Sequence, residues 1–100
     1  NHGWPIDDWL NRLPLDRVGE IHLAGHERAE DDAGDALLID SHGGPVSEAV
    51  LDLLVQVTAL AGTRPVLIER DNNVPQLADL LQEVGSVRSR LAAPTSFEVA

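Results

Sequence analysis

With 100 residues and a mass of 10.8 kDa, the chain holds one small domain at most and has no room for a second catalytic unit. Seven arginines and no lysine stand against 17 acidic residues, and the resulting net charge of -10 repels a phosphate backbone and argues against nucleic-acid binding. Cysteine is absent, which removes disulfides, thiolate metal sites and cysteine nucleophiles, and leaves His and carboxylates as the available metal ligands.

No apolar run approaches the ~20 residues of a membrane span, and residues Asn1 to Asp8 lack the basic and then apolar pattern of a signal peptide. The expected location is the cytoplasm, with no membrane partner. The chain opens at Asn1-His2-Gly3-Trp4-Pro5 without an initiator methionine, so it is expected to be a piece of a longer polypeptide.

In chain order, the first expected element is a short helix from about Ile6 to Leu13, ahead of Pro14, with Trp9, Leu10 and Leu13 sharing a face. A strand at Ile21-His22-Leu23-Ala24 comes next and ends at Gly25-His26. The acidic, apolar-poor stretch from Glu27 to Asp35 reads as an exposed loop. Ala36-Leu37-Leu38-Ile39 is nearly continuous in apolar residues, as a parallel strand buried on both faces would be, and stops at Asp40-Ser41-His42-Gly43-Gly44. From Val46 to Ala61 the apolar residues recur at three- and four-residue steps, a helix with Pro45 in its first turn and Gly62 at its end. A third strand, Pro65-Val66-Leu67-Ile68, stops at Glu69-Arg70-Asp71. A second long amphipathic helix runs from Val74 to about Leu91 with Asn73 as N-cap, and residues 92–100 read as a loose tail of this single partial domain. Strands alternating with helices predict an α/β fold with about three parallel strands and crossover helices, closer to the last part of a (β/α)8 barrel than to a complete domain. Such a fragment leaves parallel sheet edges that a homo-oligomer would cover.

In parallel α/β folds, chemistry gathers at the carboxyl ends of the strands. His22 lies in the first strand, Asp40 and His42 close the second, and Glu69 closes the third. The Asp40-x-His42 spacing directs two side chains to one side of an extended backbone, and imidazole with carboxylate suits iron, manganese or zinc. Each residue also has a plain structural reading. Asp40 to Gly44 works as a capping turn, though that leaves His42 unexplained. Glu69-Arg70-Asp71 works as a solvated strand end, and His26 as a hydrogen-bonded loop residue. The leucine-rich helical faces, Trp4 and Trp9 are expected in packing, and Glu30-Asp31-Asp32 in a solubilising loop. Gly43-Gly44 is too short for a phosphate-binding loop.

The wording of three segments is more specific than these patterns. Glu20-Ile21-His22-Leu23-Ala24-Gly25-His26, Leu38-Ile39-Asp40-Ser41-His42-Gly43 and Pro65-Val66-Leu67-Ile68-Glu69-Arg70-Asp71 closely resemble the multinuclear non-heme iron-dependent oxidative enzymes, in order and spacing, with Ser41 where the family usually has threonine. The resemblance runs from Asn1 to about Val84. It implies a xylose-isomerase-like TIM barrel with two or three iron ions at its mouth. It also implies a dioxygen-using reaction on residues, often cysteines, of ribosomally made precursor peptides, as in natural-product pathways such as methanobactin biosynthesis, with a partner protein that holds the peptide. Carried over by motif, His22, Asp40, His42 and Glu69 match metal ligands, while Asn1, His2 and His26 are further candidates as ligands or as partners of ligands. Family ligands from the first half of the barrel have no counterpart in these residues, so the isolated chain is expected to be inactive. The ligand types alone also fit a metal-dependent hydrolase or isomerase on the same barrel, and a segment that folds by itself would serve as a non-catalytic binding module.

Overall fold

The computed structural model describes residues 1–92. Its framework is a parallel pair of strands, β1 (Ile21–Ala24) and β4 (Val66–Glu69), joined in register from Ile21 opposite Val66 to Ala24 opposite Glu69. Between them the chain passes through a β-hairpin, β2 (Glu27–Glu30) and β3 (Ala36–Ile39), and then helix α2 (Glu48–Ala61). Helix α3 (Leu77–Ala92) comes after β4, and a short helix α1 (Ile6–Leu10) and a 3-10 turn at Leu15–Arg17 precede β1. No helix among the described residues is long and apolar enough to cross a membrane.

The hairpin corrects two expectations. Ala36–Ile39 is a strand, but it pairs antiparallel with β2 and not with the parallel pair, so the described residues have two parallel strands where three were expected. The expected loop from Glu27 to Asp35 is β2 and a tight turn. Asp31 builds that turn: its Oδ1 accepts the backbone N–H groups of Ala33 and Asp35, each at 2.9 Å, and Gly34 takes the left-handed φ of 83° that the reversal requires. Charged residues at Glu27, Arg28 and Glu30 hide the strand in the sequence, because only Ala29 of the four is even partly buried.

The helix starts are also shifted. Ser47 caps α2, its hydroxyl accepting the Val50 N–H at 3.3 Å, so Pro45 lies ahead of the helix. Asn73 adopts φ 49° and caps nothing; α3 begins only at Leu77, since Val74 precedes Pro75 and is thereby steered away from helical geometry. The same restriction on Leu13 before Pro14 accompanies the early end of α1 at Leu10. Gly62 ends α2 as expected, with φ 85°. Ala92 is the last residue of α3, and the rest of the expected tail, 93–100, lies outside the described residues.

The core lies between the parallel pair and the two long helices. Leu23 of β1, Leu51 and Leu54 of α2 and Val87 of α3 are buried together, with Ile21, Val46, Val50, Val66 and Ile68 packed against them. Strand residues two apart share a face. Ile21, Leu23, Val66 and Ile68 therefore turn toward the helices, and His22 and Glu69 turn to the opposite face together with Leu67, which is 50% exposed. Trp4 and Trp9 are not in the core: they are 79% and 52% exposed, and the His2 ring lies against Trp4 at 5.3 Å between centroids.

Candidate metal centre

The polar face of β1 and β4 carries the site. His22 and Glu69 project from neighbouring strands on the same side, and His22 Nδ1 meets Glu69 Oε1 at 2.5 Å. His22 Nε2 meets Glu20 Oε1 at 2.6 Å, so the ring is held between two carboxylates.

His42 reaches the same place from the hairpin exit, and the backbone fixes it there. Its N–H donates to the Gly25 carbonyl at the end of β1, and its own carbonyl accepts the Asp71 N–H at 2.8 Å beyond the end of β4. The close approach depends on small residues: a Cβ on Gly25 would stand 2.2 Å from the Gly44 carbonyl oxygen, and one on Gly43 would stand 2.2 Å from Asn72 Oδ1. Asn72 closes the seam by donating to the Ser41 carbonyl at 2.8 Å. His42 itself is left-handed, φ 53°, an uncommon state for a non-glycine residue that sits here between two strand ends. The backbone at Asp40-x-His42 is therefore not extended. The two side chains still meet, His42 Nε2 to Asp40 Oδ1 at 2.9 Å.

On its other nitrogen, His42 Nδ1 lies 2.7 Å from Asp71 Oδ2 and 3.0 Å from Glu69 Oε2. His42, Glu69 and Asp71 bring ligand atoms within 4.8 Å of one another, a group compact enough for one metal ion. In the sequence Asp71 reads only as one of the solvated strand-end charges, and Glu20, which holds His22, carries no separate signal. Both stand two residues from a candidate, in Glu20-x-His22 and Glu69-x-Asp71, the same spacing as Asp40-x-His42.

The electrostatics rest on these contacts. The hydrogen bond to Asp71 raises the His42 pKa above its ordinary 6.5, with the charges of Asp40, Asp71 and Glu69 adding and partial desolvation opposing. His22 is raised likewise, first by its bond to Glu20 and then by Glu69. A neutral imidazole has one N–H, yet each of these rings has carboxylates at both nitrogens, an arrangement that favours the doubly protonated ring. Even then, four carboxylates (Glu20, Asp40, Glu69, Asp71) outweigh two imidazolium charges, and the donor set carries a surplus of negative charge that suits a divalent cation. A bound cation would take the lone pair of one ring nitrogen, and a carboxylate accepting from the other N–H would fix the tautomer.

The remaining candidates lie elsewhere. Asn1 uses its whole side-chain amide on the outer edge of β3, donating to the Leu38 carbonyl at 2.7 Å and accepting its N–H at 2.8 Å. His2 is exposed beside Trp4, and His26 is exposed between β1 and β2; neither joins the compact group among the described residues.

Comparison with known proteins agrees with the motif resemblance. Residues 1–92 match the family model described as RiPP precursor modification enzyme MbnB/TglH/ChrH. UPF0276 proteins of Bordetella pertussis strain Tohama I and Bordetella parapertussis strain 12822 are each 55% identical over 92 residues, which cover 92% of this chain and 32% of theirs. A UPF0276 protein of Rhizobium meliloti strain 1021 is 49% identical over 83 residues, covering 83% of this chain and 27% of its own. The chain thus spans about a third of the length of the curated relatives it matches. No solved structure matches it.

Proposed function

The chain belongs to the MbnB/TglH/ChrH family of RiPP precursor modification enzymes, and from that premise we propose that it supplies part of the metal centre of an iron-dependent, dioxygen-using oxidase acting on a ribosomally made precursor peptide. The observation that carries the reading is the meeting of His42, Glu69 and Asp71, with His22 and Asp40 alongside, at the ends of the parallel strands. These residues would hold the metal. An all nitrogen and oxygen donor set without thiolate is one that Fe(II) accepts. Bound iron would supply the activation of dioxygen for oxidising a peptide side chain, often a cysteine.

The chain's own residues perform the holding. Gly25, Asp71 and Asn72 clamp the His42 loop through backbone and amide bonds, so the imidazole is oriented before any ligand arrives. Glu69 presents one carboxylate oxygen to each histidine and so couples the two rings. The face away from the helices, with His22, Leu67 and Glu69, would line the lumen of a TIM barrel to which β1, α2, β4 and α3 contribute consecutive units. The rest of the ligand set and the peptide site then come from the remaining length of the protein, and a partner protein would hold the peptide.

The test is to load the complete protein with Fe(II) under anaerobic conditions, add a cysteine-containing precursor peptide, and monitor the peptide mass on admitting dioxygen. An oxygen-dependent mass change that disappears with His42→Ala is the expected result. Turnover with zinc or manganese in the absence of oxygen would instead identify a hydrolase or isomerase, and would overturn the oxidase reading.

A further inference from the structure

Between Glu69, the last residue of β4, and Asp71 stands a residue that faces the other way. Arg70 turns its guanidinium into the seam between α2 and α3, where it meets Glu83 at 3.3 Å; the two side chains are only 11% and 13% exposed. Arg70 also donates to the Asn73 carbonyl, beyond Asp71 in the same loop. Glu83 has a second bond: its Oε1 accepts the backbone N–H of Val46 at 2.8 Å. Val46 lies four residues after His42, in the segment that leads from the hairpin exit into α2. One carboxylate on α3 thus grips both loops that bring metal-site residues together, Asp40 to Val46 on one side and Glu69 to Asn73 on the other.

We propose that Glu83 is a positioning residue for the metal centre, setting the distance between His42 and the Glu69/Asp71 pair without touching the ion. The inference rests on the metal-site reading above and assigns α3 a role in it. Its physical basis is the geometry of two short, irregular loops. The loops meet each other through the His42 carbonyl and Asn72, and are anchored from behind at the shared carboxylate. With that anchor gone, Arg70 keeps a largely buried charge with its ion-pair partner removed, and the Val46 N–H loses its acceptor. Both loops then relax by small displacements, and ligand atoms now grouped within 4.8 Å are held less tightly. The α2–α3 seam contains a second tie that serves as a control. Arg90 of α3 pairs with Glu48 at 2.7 Å and with Asp52, both on α2, and none of the three is bonded to the ligand loops.

The experiment is Fe(II) competition against a chelator, performed anaerobically on the complete protein and on Glu83→Ala, Glu83→Gln, Arg90→Ala and His42→Ala, with a metal-free thermal melt for each. Glu83→Ala is expected to weaken Fe(II) binding by ~10-fold or more, in the range typical of groups that orient metal ligands. Glu83→Gln should lose less, because its amide oxygen still accepts from Val46 while the charge opposite Arg70 is gone; it also carries the test if the alanine variant fails to fold. Arg90→Ala should lower the melting temperature and leave Fe(II) affinity unchanged. If His42→Ala weakens binding while both Glu83 variants bind like the parent, the positioning role is wrong and the metal site stands. If Arg90→Ala weakens Fe(II) binding as much as Glu83→Ala, the effect is general loosening, and the proposal fails. If parent and His42→Ala take up iron equally, the metal-site reading itself fails and takes this inference with it.

Discussion

The parallel pair and the hairpin use much the same apolar residues and come to different ends. Val66-Leu67-Ile68 of β4 and Leu37-Leu38-Ile39 of β3 read alike in sequence. Yet Val66 and Ile68 pack on the Leu23, Leu51, Leu54 and Val87 core, while Leu38 and Ile39 are each 42% exposed. The difference arises from the partner each strand takes. β4 lies beside β1 with two helices behind it, so Val66 and Ile68 are partly buried while Leu67 and Glu69 lie on the opposite face. β3 folds back on charged β2, and its contribution to the site is the loop at its exit. A rigid layer thus supplies His22 and Glu69, and a hairpin delivers His42 to them.

The largest expected break in this division is His42→Ala or Glu69→Gln in the complete protein. Each should remove metal binding by more than the ~10–100-fold cost of altering an orienting group, while the far-ultraviolet circular dichroism stays at the parental level. Next comes the layer behind the site. Leu54 is 2% exposed, and Leu54→Ala should lower stability by about 2–5 kcal/mol, read by denaturant unfolding, with no specific change in ligand geometry. A replacement that leaves stability unchanged would show that the parallel pair and its helices are not the anchoring layer.

Asp71→Asn sharpens the comparison at the strand end. It should weaken metal binding by roughly tenfold, less than losing His42, since an amide oxygen remains but the charge is lost. The same variant bears on pH. Carboxylate bonds raise both histidine pKa values above 6.5, so protons compete with the metal until the pH climbs past those raised values. Affinity should therefore rise with pH above 6.5, level off beyond, and fall with acidification. Asp71→Asn removes the leading cause of the His42 shift and should move that rise to lower pH, which a metal titration across pH measures directly. The smallest effect is expected at the hairpin edge. Asn1→Ala removes two exposed bonds to Leu38, each worth about 0.5–1.5 kcal/mol at most, so hydrogen exchange should quicken at the Leu38 amide and not at Leu23.

Much of this was legible from residue spacing. The four apolar segments that became β1, β4, α2 and α3 announce themselves by period; His22 and Glu69 stand on the parallel pair, and His42 lies in the loop after β3. Pairing was not legible, because Ala36–Ile39 carries no mark of its partner, and a charged strand such as Glu27–Glu30 looks like a loop until a turn built on Asp31 folds it back. Asp71 escaped for a different reason. An acidic residue after a strand has an ordinary explanation in solvent, and only the left-handed turn at His42 brings that carboxylate to an imidazole. Arg70 reads like one more surface charge, although it follows the last residue of β4 and meets Glu83 of α3.

Whether the strand ends of this chain hold a metal through His42 and Glu69 is tested most directly by metal analysis. The measurement is mass spectrometry of the complete protein purified anaerobically, beside His42→Ala and Glu69→Gln variants that have been shown to fold. Stoichiometric iron in the parent and a clear loss in both variants is the predicted result. A parent without iron, or variants that retain the parental amount, would contradict it.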